Sequence, residues 1–200
     1  MAFRLGILAS GRGSNFVAIQ EAISAGQVPA EIAVVITDQS QAGVRERTGE
    51  IPCLLMERSA YDSKQAFEIA LAEKLAEYKV DLVVLAGFMR LLGGAFLSRF
   101  PGRVLNIHPS LLPSFPGLHP QQQALDYGVK VSGCTVHFVD EGMDSGPVIM
   151  QQAVPVLDED TEETLAARIL EQEHKLYPAA IALCAQGKIS LTGRKTLQEK

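Results

Sequence analysis

Short aliphatic and β-branched runs alternate with longer amphipathic stretches in the first half of the chain, and this alternation constrains the fold most. The apolar runs span residues 3–9, 32–36, 52–56 and 80–86. Several of them lack polar alternates, which is typical of parallel strands that are covered on both faces. The pattern predicts an α/β fold with three layers: a doubly wound, mostly parallel sheet with helices on both faces, Rossmann-like in its winding.

The second half of the chain predicts two further strands and a long helix. Residues 132–139 and 148–156 have strand character. Thr161 opens a helical pattern that runs to about Ala185. Because Thr164 stands where a capping box has Glu or Gln, we expect only a partial capping box at the start of this helix.

Composition limits the classes of partner. The chain has 200 residues and a net charge of −5, with both signs scattered, so it lacks the basic surface that nucleic acids and anionic membranes attract. No apolar run approaches the roughly 20 residues that span a bilayer. The three cysteines lie far apart and form no metal-ligand or disulfide spacing. We expect a cytoplasmic protein, one domain over residues 1–200, small-molecule ligands, no metal and no membrane or nucleic-acid partner.

A glycine-rich segment, residues 11–15, follows the first predicted strand and opens the first helix. Free backbone N–H groups and the helix dipole attract an anion at that position. The dinucleotide fingerprint needs a third glycine, which is missing here, so a single phosphate is favoured over NAD. The alternative is a plain tight turn in which Ser14 or Asn15 caps the helix.

Asn106 and His108 lie two residues apart at the end of a predicted strand, so both side chains should point to one side. Open α/β sheets bind ligands at this edge. A donor amide beside an imidazole suits acyl transfer, with Asn106 holding the oxygen that becomes negative and His108 handling a proton. Asp144, in a glycine-rich loop, is a candidate partner that would favour the imidazolium. The alternatives are a structural histidine and a turn-forming aspartate.

The remaining histidines, His119, His137 and His174, are predicted to be structural. The proline-rich segment 108–117 is too apolar for a solvated linker, so we expect it to be ordered and to form a pocket wall.

These segments resemble the folate-dependent formyltransferases. The similarity lies in residues 106–113, 140–146 and 85–90, with further matches at 13–15 and 172–174, and it extends over roughly residues 3 to 190. The resemblance implies transfer of a formyl group from 10-formyltetrahydrofolate, a consumed co-substrate, to the amine of glycinamide ribonucleotide. It implies no tightly bound cofactor, and it leaves open whether the protein is a monomer or a homodimer.

The resemblance also implies roles for individual residues. The catalytic residues would be Asn106, His108 and Asp144. Glycinamide ribonucleotide would contact Gly13, Ser14, Asn15 and Glu173. The folate would contact Lys64, Met89, Arg90, Leu91, Leu92, Asn106, Val139, Asp140, Glu141, Gly142, Met143 and Asp144. Phosphate binding is then expected in residues 1–100 and folate binding and catalysis in residues 101–190.

Two positions depart from the pattern of the family. Lys64 stands where relatives carry Arg, and a lysine is a weaker bidentate partner for a carboxylate. Leu170 stands where some relatives have a Gln that contacts the nucleotide. Alternative functions are a formyltetrahydrofolate hydrolase, a methionyl-tRNA formyltransferase and a folate- or nucleotide-binding protein without activity. The first two are disfavoured because each implies an additional domain, for which 200 residues leave no room.

Overall fold

A computed structural model describes residues 2–199. The strands are β1 (Phe3–Leu8), β2 (Ala30–Thr37), β3 (Cys53–Leu55), β4 (Leu82–Leu85), β5 (Val104–His108), β6 (Val131–Phe138), β7 (Val148–Pro155), β8 (Ile189–Thr192) and β9 (Lys195–Gln198). The helices are α1 (Ser14–Ser24), α2 (Lys64–Glu77), α3 (Gly94–Leu97), α4 (Pro120–Tyr127) and α5 (Glu162–Ala185). Short 3₁₀ turns cover Gly43–Glu46 and Arg58–Ala60.

Seven strands form one mixed sheet in the order β3-β2-β1-β4-β5-β6-β7. The first five strands of that order pair in parallel, whereas β6 pairs antiparallel with both β5 and β7. The predicted α/β fold with a mostly parallel sheet is therefore confirmed. Because β1, β4 and β5 run in parallel, their carboxyl ends meet at one edge of the sheet, where Asn106 and His108 lie.

Helices cover both faces of the sheet and enclose two hydrophobic cores. Ile7 of β1 packs into one core with Ile19 of α1 and Tyr177 of α5. The next residue, Leu8, packs into the other core with Leu71 of α2. Successive side chains of a strand point to opposite faces, and both faces of β1 are covered here. This explains why the strand sequences are continuously apolar.

Helix α5 begins with a complete capping box, so the expectation of a partial one is wrong. The Thr164 N–H donates to the Thr161 hydroxyl oxygen at 3.3 Å, and the Thr161 N–H donates to the Thr164 hydroxyl oxygen at 2.9 Å. A threonine hydroxyl thus accepts the bond for which Glu or Gln is usual. Within residues 2–199, no helix is both long and apolar enough to cross a membrane.

Helix α3 and strands β8 and β9 were not predicted from the sequence. Helix α3 is a single short turn, and β8 and β9 form a C-terminal hairpin outside the main sheet. Thr196 of this hairpin donates its hydroxyl to the Val148 carbonyl oxygen at 2.6 Å, and Arg194 donates to the Ser145 carbonyl oxygen at 2.6 Å. The hairpin therefore contacts β7 and the loop before it.

Tyr177 fixes α5 above the carboxyl ends of two strands. Its side chain is fully buried, and its hydroxyl lies 3.0 Å from the carbonyl oxygens of both Leu85 and Leu105. Burial holds the pKa of the phenol well above its ordinary value, so the group remains a hydrogen-bond donor. The bond places α5 next to the strand that carries Asn106.

We predict that Tyr177→Phe lowers the free energy of unfolding by about 1–3 kcal/mol, because it removes a buried donor and leaves the acceptors with one partner fewer. Urea denaturation measures this change. Tyr127→Phe is the matched control, since the Tyr127 side chain is 80% exposed, and we expect no change in its midpoint. Equal midpoints for wild type and both variants would contradict the prediction.

Candidate active site

The amino end of α1 provides unpaired backbone N–H groups. Its N-cap, Gly13, has φ of 80°, and a Cβ there would lie 2.9 Å from the Val44 backbone, so only glycine fits. No side chain within residues 2–199 caps the helix, and the first helical hydrogen bond joins the Val17 N–H to the Gly13 oxygen. The N–H groups of the first turn therefore face outward, as in anion-binding helix ends.

Asn15 and Glu173 form a buried polar pair beside this helix end. The Asn15 amide nitrogen donates to Glu173 Oε2 at 2.9 Å. Glu173 is 6% exposed, and burial raises the pKa of its carboxyl, while the bond from Asn15 opposes that rise. The Asn15 amide oxygen is buried and has no partner among the described residues. A buried unpaired acceptor is costly, so this atom marks a place for a ligand donor.

His108 is held at both ring nitrogens. Its Nε2 lies 2.8 Å from the Phe115 carbonyl oxygen, and its Nδ1 lies 3.3 Å from Asp144 Oδ2. A carbonyl oxygen only accepts, so Nε2 carries a proton. Nδ1 faces the Asp144 carboxylate, an arrangement that suits a charge-assisted hydrogen bond. The structure thus brings His108 and Asp144 together across 36 residues of sequence.

The loop that carries Asp144 is closed by its own polar groups. Asp140 accepts from the Gly142 N–H at 3.1 Å and from the Ser145 hydroxyl at 2.6 Å. Asp144 itself adopts a φ of 49° and accepts the Gly117 N–H at 2.8 Å. The carboxylate is therefore held against the proline-rich segment as well as against His108.

The proline-rich segment is ordered, as expected, by hydrogen bonds from side chains of β6 and β7. Thr135 donates its hydroxyl to the Ser110 carbonyl oxygen at 2.7 Å and accepts the Leu112 N–H at 3.0 Å. Gln151 donates to the Leu112 carbonyl oxygen at 2.9 Å. These bonds fix the backbone that presents the Phe115 carbonyl to His108.

His137 is a site residue that the sequence reasoning missed. It pairs with Asn106 across β5 and β6, and the Asn106 amide nitrogen lies 3.3 Å from its Nε2. Its Nδ1 donates to the Phe138 carbonyl oxygen at 2.9 Å, and burial lowers the pKa of the ring, so Nε2 is a neutral acceptor. The 3.8 Å from Nε2 to Asp144 is too long for a hydrogen bond. His137 therefore orients the Asn106 amide.

The residues expected to contact folate fall into two groups. Met89, Leu91 and Met143 are exposed by 74%, 55% and 54%. Lys64 and Arg90 instead have their charges bound by neighbours, Lys64 by Glu68 and Arg90 by Asp38. Leu92 is buried, and Leu170 is half-buried on α5.

Comparison with known proteins points to one family. The model of the formyl transferase family matches residues 3–181. The phosphoribosylglycinamide formyltransferase of Bacillus subtilis is 46% identical over 180 residues, which cover 89% of this chain and 92% of the relative. The crystal structure of glycinamide ribonucleotide transformylase 1 from Symbiobacterium toebii has a TM-score of 0.98 and 52% identity, and the match covers 100% of this chain and 95% of that one.

The same similarity extends to much longer proteins. The trifunctional purine biosynthetic protein adenosine-3 of Drosophila pseudoobscura is 46% identical over 190 residues, but the match spans only 14% of that protein's length. The chain therefore corresponds to one part of such relatives.

We predict that Glu173→Gln raises the melting temperature of the ligand-free protein at pH 8. Because the carboxyl pKa is raised on folding, the native state binds more protons than the unfolded state above about pH 4.5, and stability falls as pH rises through that window. The amide avoids this cost, and each kcal/mol shifts the melting temperature by about 2–4 °C.

Thermal unfolding of wild type and Glu173→Gln at pH 5 and pH 8 checks this prediction, with the gap expected to be wider at pH 8. Glu171→Gln is the control, since Glu171 is exposed on the same helix. A variant no more stable than wild type at pH 8 would contradict the proposed burial cost.

Proposed function

The chain belongs to the formyl transferase family, and we propose that it transfers the formyl group of 10-formyltetrahydrofolate to the amine of glycinamide ribonucleotide. The arrangement of Asn106, His108 and Asp144 at the same sheet edge as the free N–H groups of α1 carries this proposal. The similarity to phosphoribosylglycinamide formyltransferases over nearly the full chain supports it.

The spacing of the site suits a small phosphorylated acceptor. Strands β1 and β5 flank β4, so their ends lie about 10 Å apart at a strand separation of roughly 4.8 Å. The phosphate binds at residues 13–15, where α1 begins. The other end of the acceptor then reaches the end of β5, where its amine lies beside Asn106 and His108. Glu173 and the unpaired Asn15 amide oxygen contact polar groups of the acceptor that lie between its phosphate and its amine.

The transfer is direct and has no covalent enzyme intermediate. The amine nitrogen attacks the formyl carbon, and the carbonyl oxygen becomes negative. The second N–H of the Asn106 amide, which has no partner among residues 2–199, donates to this oxygen. In its protonated form, the His108 ring beside Asp144 stabilises the same tetrahedral species. The proton lost by the amine nitrogen passes to the folate nitrogen, the bond from the formyl carbon to that nitrogen breaks, and neutral tetrahydrofolate leaves.

The folate is a consumed co-substrate in this proposal, and no tightly bound cofactor is required. It lies along residues 89–92 and against the loop 140–144, and the exposed Met89, Leu91 and Met143 side chains cover its apolar parts. Binding both substrates side by side removes much of the entropic cost of bringing them together. The same loop includes Asp140, Glu141 and Gly142, and Val139 directly precedes it.

Further expectations belong to the same proposal. The protein acts on small molecules, as a single domain whose sheet runs through both the phosphate-binding and the catalytic half. Cys53, Cys134 and Cys184 are free thiols, which suits the reducing cytoplasm. Asn106, His108 and Asp144 are all present and lie close together, and this disfavours a binding protein without activity.

The direct test follows the absorbance of purified protein mixed with 10-formyltetrahydrofolate, with and without glycinamide ribonucleotide. We expect turnover only when the acceptor is present. Deformylation without the acceptor would identify a hydrolase, and no change in either cuvette would contradict the proposal.

We predict that Asn106→Ala lowers kcat by about 10²–10³-fold, the usual effect of removing one oxyanion donor. Its dissociation constant for tetrahydrofolate should change much less, because the oxyanion forms only during transfer. Steady-state kinetics and calorimetry measure the two quantities. Gln152→Ala, an exposed amide on β7, is the control. Full turnover by Asn106→Ala would exclude this residue from the chemistry.

A further inference from the structure

The segment 89–93, which follows β4 in the proposed folate site, has free backbone groups between two fixed ends. Within residues 2–199, the N–H groups of Arg90, Leu91 and Leu92 have no hydrogen-bond partner. The N–H groups of Met89 and Gly93, which flank them, are both bound by side chains. A short stretch with unpaired donors is therefore held at each end.

We call the contact that holds each end of this segment a tether. The first tether comes from Asp38, the residue that follows β2. The Met89 N–H donates to the Ser10 hydroxyl oxygen at 3.0 Å, and the Ser10 hydroxyl donates to Asp38 Oδ1 at 2.6 Å. The other carboxylate oxygen of Asp38 binds the Arg90 guanidinium. Asp38 is 4% exposed. One buried carboxylate thus holds both the backbone before the free groups and the side chain of Arg90.

The second tether comes from Glu68 of α2, a helix that covers one face of the sheet. Glu68 is 3% exposed, and its Oε1 accepts the Gly93 N–H at 2.8 Å. Lys64 Nζ lies 3.4 Å from the same carboxylate. A Cβ at position 93 would lie 3.2 Å from Glu68 Oε2 and 3.5 Å from Lys64 Nζ, so glycine allows this close approach.

We propose that Asp38 and Glu68 are positioning residues that hold the segment 89–93 in the conformation that binds folate. This inference rests on the proposed function, because it names the role of two buried carboxylates in the same site. Ordering of the segment occurs on folding, so the folate does not bear that entropic cost when it binds. Arg90 then contributes its backbone, since its charge is bound by Asp38.

Burial of two carboxylates is a weak source of stability, because the loss of hydration opposes the ion-pair attraction. Their side chains instead select one backbone geometry at both ends of the segment. Loss of either tether should therefore weaken folate binding more than acceptor binding, because the acceptor site at α1 and α5 uses neither carboxylate.

The test compares Asp38→Ala and Glu68→Ala with wild type by calorimetry with tetrahydrofolate and by steady-state kinetics. We expect the dissociation constant for tetrahydrofolate and the KM for 10-formyltetrahydrofolate to rise at least about tenfold, equivalent to about 1.4 kcal/mol. The KM for glycinamide ribonucleotide should stay within about twofold of wild type. Amide hydrogen exchange should quicken within residues 89–93.

Asp81→Ala is the matched control. The Asp81 carboxylate accepts the Arg4 N–H at 2.8 Å and so joins β1 to β4 at the opposite end of these strands. It should leave both KM values unchanged even if the protein becomes less stable. Glu68→Gln should restore folate binding, because the amide oxygen can still accept the Gly93 N–H. Gly93→Ala, which keeps both carboxylates but crowds Glu68, should weaken folate binding.

The outcomes separate the two proposals. The positioning role is overturned if the alanine variants bind tetrahydrofolate as tightly as wild type or raise both KM values equally. Turnover by wild type would still uphold the proposed function in that case. Wild type that binds tetrahydrofolate without turnover would overturn the proposed function alone, provided that the alanine variants bind it more weakly. If wild type does not bind tetrahydrofolate, both are overturned. If Asp38→Ala fails to fold, Glu68→Ala, Glu68→Gln and Gly93→Ala decide.

Discussion

The bonds at the two ring nitrogens of His108 join three parts of the chain that are remote in sequence. The ring is placed by the end of β5, its Nε2 is bound to the Phe115 carbonyl of the proline-rich segment, and its Nδ1 faces Asp144 of the loop 140–146. If either contact is lost, a buried polar group lacks a partner. The imidazole thus links the proline-rich segment to the loop 140–146, and Asn106 is oriented beside it by His137.

Much of the fold and part of the site could be predicted from sequence. The continuous apolar runs indicated parallel strands covered on both faces, and β1 shows why, since Ile7 and Leu8 pack into different cores. The period of two placed Asn106 and His108 on one side of β5. His137 could not be found in this way, because its role comes from antiparallel pairing with β5. Asp38 was equally hidden, since it reaches Arg90 only through the strand order β2-β1-β4.

The site concentrates buried polar groups at one edge of the sheet. Asn15 and Glu173 join α1 to α5, and Glu173 is held where burial disfavours its charge. Folded proteins keep such groups where their chemistry is used, at some loss of stability. Tyr177 offsets part of this loss by tying α5 to the carbonyl oxygens of β4 and β5. Helix α5, which carries Glu173, is thus held against β4 and β5 by Tyr177.

The central claim is that one acceptor molecule extends along this edge from the start of α1 to the end of β5. A crystal structure of the protein with glycinamide ribonucleotide tests it most directly. We expect phosphate oxygens within hydrogen-bond distance of the N–H groups of Ser14 and Asn15, and the amine within about 4 Å of the Asn106 or His108 side chain. A phosphate bound elsewhere, or an amine directed away from β5, would contradict the account.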